Sequence, residues 1–194
     1  MRDDDLGPKF GEVRSRYHSR MVPVYAVERY DTSFRLATRE QGRLWIYDAL
    51  SNPKAEQGSN LLDIGGKVSS ISVTHWENPG RVLGIMDDTE EVGTLVRGLM
   101  EAPLKPIGPD YYGTKNHYVV VFRLSDGTAA ARNYRTDTGR LAIGSISSSM
   151  TPPTGIVTPE ALRNAIDEAL EGYLKKQEAL REATIVEEQR KNRT

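Results

Sequence analysis

"HYVVVFRLSDGTAAARNYRTDTGRL", residues 117–141, is the stretch on which the fold turns. Val119, Val120, Val121 and Phe122 form a β-rich run, and Ala129 to Tyr134 resume one after the pair Asp126-Gly127. That dipeptide suits a two-residue hairpin turn, whose central positions need positive φ. Such a turn predicts Phe122 opposite Ala131 and Leu124 opposite Ala129, large against small on one face. The other face then carries Val119, Val121 and Arg123 against Tyr134, Arg132 and Ala130. Apolar residues on both faces of the first strand predict an inner place in an antiparallel sheet.

Upstream, "KVSSISVTH" alternates as a strand should, and "NPGR" offers a turn into "VLGIMDD", a second hairpin. "DDTEEVGTLVRGLMEAP" follows, with Asp88 placed to cap a helix and Glu91 three residues on. Val92, Leu95, Val96, Leu99 and Met100 fall on one apolar face of that helix, and Pro103 ends it. Further back, "MVPVYAVERY" and "GRLWIYDAL" read as strands. "LSNPKAEQGSNLLDIGG" reads as a loop whose island Leu61, Leu62 and Ile64 packs onto the core. "PLKPIGPDYYGTKN" is expected to be a linker.

Downstream, "SISSSMTPPTG" reads as a polar connector. A second helix is expected to begin with Thr158 as its cap and Pro159 at its first position. Leu162, Ile166, Ala169, Leu170 and Tyr173 make its apolar stripe, which thins beyond Leu174. The order of elements predicts an α+β fold, an antiparallel sheet packed against two amphipathic helices. Residues 1–20 are expected to be a mobile polar arm, 21–175 a single α+β domain, and 176–194 a charged helical tail that frays at its end.

Charge and composition narrow the chemistry. The 26 Lys and Arg nearly cancel the 27 Asp and Glu, so the chain has no net field of the kind non-specific nucleic-acid binding uses, and no nucleic-acid partner is expected. With no cysteine there is no thiolate nucleophile, and His18, His75 and His117 are the only nitrogen ligands, so neither a metal nor a cofactor is expected. No apolar run approaches the roughly 20 residues of a membrane helix, so membrane attachment would need an anchor outside these residues.

"SNPK", Ser51 to Lys54, has the spacing of a serine activated by lysine, but Pro53 opposes the helix that chemistry needs. Asp87 and Asp88 with His75 could do acid-base work, although capping already accounts for Asp88. No catalytic residue is therefore assigned. Arg123 and Arg132, on one predicted hairpin face with His117 nearby, form a candidate anion site. Trp45, Tyr47, Trp76, Tyr111 and Tyr112 could make an aromatic platform, with core packing as the alternative.

The order of the "KVSSISV" strand, the "DDTEEVGTLVRGLM" helix and the "YVVVFRLSDGTAAARNYR" hairpin, within residues 67–141, resembles a poorly characterised extracytoplasmic module of Gram-positive lipoproteins and permease-associated proteins. The resemblance implies an attached sensing or interaction module and carries over no catalytic residues. The expectation is thus a non-catalytic binding or sensory module of a bacterial cell-envelope protein, with a protein or small-molecule ligand. Two rivals stand beside it: a hydrolase assembled from scattered Asp, Ser and His, and a structural subunit of a larger assembly. The location follows the anchor, extracytoplasmic if one precedes Met1 and cytoplasmic otherwise.

Overall fold

A computed structural model describes residues 5–14, 20–48, 54–106, 117–143 and 154–191. It is α+β and its strand pairs are antiparallel, but they form two sheets rather than one. Strands β1 (Leu6–Arg14), β2 (Met21–Val27), β3 (Arg35–Glu40) and β4 (Arg43–Asp48) make a four-stranded meander in chain order. The expected polar arm is thus, over Leu6–Arg14, a strand paired with β2. Its Gly, Pro and Lys content hid the alternation, and two irregularities in the register break the period. Strand β3, "RLATRE", carries no apolar alternation in the sequence, because its buried positions include Arg35 and Glu40 as well as Ala37. Gln41 and Gly42, both at positive φ, make the two-residue turn between β3 and β4.

The second sheet has seven strands. These are β5 (Val68–His75), β6 (Asn78–Met86), β7 (Leu104–Pro106), β8 (His117–Leu124), β9 (Ala129–Arg135), β10 (Arg140–Ile143) and β11 (Thr154–Val157), in the order β6-β5-β8-β9-β10-β11-β7. Strand β8 is internal, between β5 and β9, as its apolar content on both faces predicts. The expected linker after Pro103 contributes β7, and the expected polar connector ends in β11; the two short segments pair with each other. The turn between β5 and β6 is tighter than expected. His75 pairs with Asn78, so "NPGR" lies within the bulged start of β6.

The hairpin register is one residue away from the two-residue reading. Phe122 pairs with Ala130, Val121 with Ala131 and Val120 with Arg132. Leu124 N–H donates to Thr128 O at 2.8 Å and Gly127 N–H to Leu124 O at 2.9 Å, so Ser125, Asp126 and Gly127 form a three-residue connection. Asp126 Oδ1 accepts from Thr128 N at 2.8 Å and from Thr128 Oγ1 at 2.7 Å. This side-chain turn needs the left-handed region only at Gly127, whose φ is 83°. A one-residue slip moves every side chain of β9 to the other face. Ala130, Arg132 and Tyr134 therefore share the face of Val120, Phe122 and Leu124, and all six are buried.

Helices α1 (Thr89–Glu101) and α2 (Glu160–Lys191) cover that face. Asp88 caps α1 as expected, accepting from Glu90 N at 3.1 Å and Glu91 N at 2.9 Å. Val92, Leu95, Val96 and Leu99 are buried, with Leu162 and Ile166 from α2, against Ile71, Val73, Val120, Phe122 and Tyr134. The island Leu61, Leu62 and Ile64 joins this core. Gly84 lets α2 approach β6: a Cβ there would lie 2.4 Å from the Ala169 Cβ. Thr158 does not cap α2. The Pro159 carbonyl accepts the first helical bond, from Arg163 N, and the buried Thr158 hydroxyl has no partner. From Leu174 on, the side chains described for α2 are exposed apart from Gln177, in line with the expected thinning of its stripe. No helix among the described residues is long and apolar enough to cross a membrane.

Candidate functional site

The two sheets meet at a buried arginine. Arg35, the first residue of β3, is wholly inaccessible, and its Nε and Nη2 hold the Asp48 carboxylate at 2.7 and 3.2 Å. Its Nη1 donates to Thr128 Oγ1 at 2.8 Å and its Nη2 to Ala129 O at 3.2 Å, across to the β8–β9 hairpin. The guanidinium carbon stands 4.6 Å from the Tyr30 ring centre and 5.1 Å from that of Phe34. Tyr30 in turn donates to Asp126 Oδ2 at 2.8 Å. Burial, followed by that bond, pushes the Tyr30 phenol up to about 12. Burial also works to raise the Asp126 carboxyl, but its bonds from Thr128 and Tyr30 and the Arg35 charge outweigh that and hold it below the usual carboxylate range. The D-G-T turn is thus the latch between the sheets, and its chemistry is structural.

The three residues of the candidate anion site are not brought together. Arg123 and His117 share the face away from the helices, but they lie six residues, roughly 20 Å, apart along β8. Arg123 is exposed, whereas His117 is buried, its ring stacked on Trp76 at 5.4 Å. Burial first, then the nearby Arg135 charge, lowers the His117 pKa and favours its neutral form. Arg132 lies on the opposite face, 5% exposed, with Nη1 on the Ala131 carbonyl and 3.7 Å from Asp48. Its Nε and Nη2 have no hydrogen-bond partner. Burial pulls its pKa down, and Asp48 partly restores it. The one-residue slip separates Arg132 from Arg123, and the length of β8 separates Arg123 from His117.

The other candidates also come apart. Asp88 is occupied by its cap, and His75 sits at the far end of β5 from Asp87, with Nδ1 accepting from Glu77 N at 3.3 Å. Among the described residues no group of three His, Asp or Glu side chains is placed to hold a metal ion. Trp45 and Tyr47 share the outer face of the small sheet, while Trp76 lies with His117 on the large one. Ser51, Pro53, Tyr111 and Tyr112 lie outside the described residues.

A groove on that outer face went unread in the sequence. Leu36 pairs with Tyr47, Thr38 with both Val24 and Trp45, and Val13 with Val22, so these side chains project to one side. Val13, Arg14, Val24, Leu36, Thr38, Glu40 and Tyr47 line a groove of about 440 Å³. Its end at Leu36 and Tyr47 is apolar, and its end at Arg14 and Glu40 carries both signs of charge. Between them the Thr38 hydroxyl is buried, its residue 1% exposed, and has no hydrogen-bond partner. A second concavity, of about 410 Å³, lies by Asp31 and Asp63. There the carboxylates are engaged, Asp63 by Lys67 Nζ at 2.6 Å and Asp31 N at 2.8 Å, and Asp31 by Ser33 N at 2.7 Å. The signal for the groove is present as Val22 and Val24 at period two in β2, but it needs the pairing with Leu36 and Thr38 of β3 to be seen. No protein-family model matches this chain, and no curated protein or solved structure matches it either.

Proposed function

We propose that this chain is a binding module whose ligand is a small amphiphile, held in the groove on the outer face of the four-stranded sheet. An apolar body fits between Leu36, Val24, Val13 and Tyr47, and a hydrogen-bonding group meets Thr38. The observation that carries this reading is the Thr38 hydroxyl, buried without a partner at a groove of about 440 Å³ that is apolar at its Leu36 and Tyr47 end. A buried polar group left unpaired costs about 1–3 kcal/mol, and a ligand that satisfies it recovers part of that cost. Concave, largely apolar surfaces with one or two placed polar groups are the usual form of small-molecule sites.

A long-chain alcohol with a fluorescent reporter, titrated into the protein, is expected to bind saturably. Leu36→Glu should weaken binding at least tenfold by placing a charge in the apolar end. Thr38→Val should weaken it by about 2- to 12-fold, the worth of one neutral hydrogen bond. Both variants must keep the wild-type circular dichroism. Equal binding by wild type and a folded Leu36→Glu variant would remove the groove as the site.

A further inference from the structure

The edges of the two sheets are not alike. Strand β1, one edge of the small sheet, contains Gly7, Pro8, Lys9 and Gly11, and its pairing with β2 is twice irregular. Strand β6, one edge of the large sheet, contains Pro79 and Gly80, is twice irregular, and has α2 packed against it at Gly84. Strand β7, the other edge, has three residues, ends in Pro106 and follows Pro103. Proline removes a donor, bulges spoil the ladder, and short strands offer little to pair with; these are the devices that keep sheet edges from joining. Strand β4 has none of them. "RLWIYD" pairs with β3 over six consecutive residues without a shift, contains no Pro, Gly or Lys, and has no strand on its outer side among the described residues. Trp45 and Tyr47 are 40% and 48% exposed beside that edge.

We propose that β4 pairs with β4 of a second copy of this chain, antiparallel about a two-fold axis at Trp45, making one eight-stranded sheet from two four-stranded ones. A two-fold axis normal to a sheet keeps each face on its own side, so facing residues must have the same parity. With Trp45 on the axis, Trp45 faces the other Trp45, Leu44 faces Ile46, and Arg43 faces Tyr47. The pairing sets apolar against apolar on the inner side. On the outer side it sets aromatic against aromatic at the centre and a guanidinium against an aromatic ring at each end. No like charges oppose one another, and Asp48 faces Gly42. An extended peptide of another protein could use the same backbone edge, but it would not explain why the side chains of β4 complement themselves. This inference goes beyond the proposed ligand and stands on a separate observation.

The absence of cysteine makes the test clean. Light scattering of the unmodified chain is expected to give twice the monomer mass, falling toward the monomer on dilution. Trp45→Lys opposes two ammonium groups on the axis and should give the monomer mass at all concentrations. Trp45→Cys places two thiols opposite each other, within the roughly 4.4–6.8 Å Cα separation that a disulfide requires. Mild oxidation should cross-link it into a covalent dimer much faster than Ile85→Cys, an exposed position on β6. A monomer mass for the unmodified chain at every concentration, or equal cross-linking of the two cysteine variants, would overturn the proposal.

Discussion

Arg35→Leu is expected to lower the free energy of unfolding by about 3–5 kcal/mol, the usual cost of removing one partner from a buried ion pair. Arg35 is the one side chain that binds Asp48, Thr128 and the Ala129 carbonyl together while lying against two rings. Leucine fills part of the space but leaves those acceptors without their donor. Arg132→Met is the informative partner variant. Arg132 is also buried and near Asp48, yet two of its three guanidinium nitrogens have no partner, and the carboxylate it approaches already belongs to Arg35. An underpaired buried charge contributes little net stability, so its replacement by a chain of similar length should change stability by about 1 kcal/mol or less, in either direction. Urea denaturation of the two variants measures both. If Arg132→Met proved as costly as Arg35→Leu, the two arginines would share the carboxylate equally, and the assignment of Arg35 as the hub would fail.

Phe122→Ala should cost about 3–5 kcal/mol, because it removes a wholly buried ring from the centre of the large sheet. Arg123→Ala, one residue on and exposed, should stay within about 0.5 kcal/mol. The same experiment reads the hairpin register through the facing alanines. Ala130 is fully buried opposite Phe122, whereas Ala131 is exposed opposite Val121. Ala130→Lys should therefore prevent or severely weaken folding, and Ala131→Lys should be nearly silent. The reverse outcome would restore the two-residue turn and move Arg132 to the outer face.

The elements legible in the sequence were those whose residues spoke with one voice. Val92, Leu95, Val96 and Leu99 predicted the buried face of α1, Asp88 its cap, and Val119 to Phe122 an internal strand, and each took that place. The turn was located but misread by one residue. The dipeptide Asp126-Gly127 fits two connections, and the choice was made by the bonds that Asp126 forms with Thr128, which a pattern of apolar residues does not contain. That single residue undid the anion site, since it put Arg132 on the face opposite Arg123. Strands β7 and β11 are illegible for another reason: they have three and four residues, too few for a period, and β7 exists because β11 lies beside it, as β11 does because β10 lies beside it. The groove depends likewise on β3, whose Arg35 and Glu40 look like surface residues until the partners across the sheet are known.

The order of strands in the large sheet constrains how the chain can assemble as it leaves the ribosome. Both of its edges, β6 and β7, are synthesised before four of its five interior strands, β8, β9, β10 and β11, and β7 has no strand beside it until β11 emerges. The meander β1 to β4 needs only neighbouring hairpins, so it can form early from local contacts, while the large sheet must close long loops first and is the slower part. Arg35 is made more than ninety residues ahead of Thr128 and Ala129, and through that interval only Asp48, on the neighbouring strand, is available to it among these partners. The joint between the sheets is therefore made late in assembly, when the finished hairpin brings Thr128 and Ala129 to the arginine.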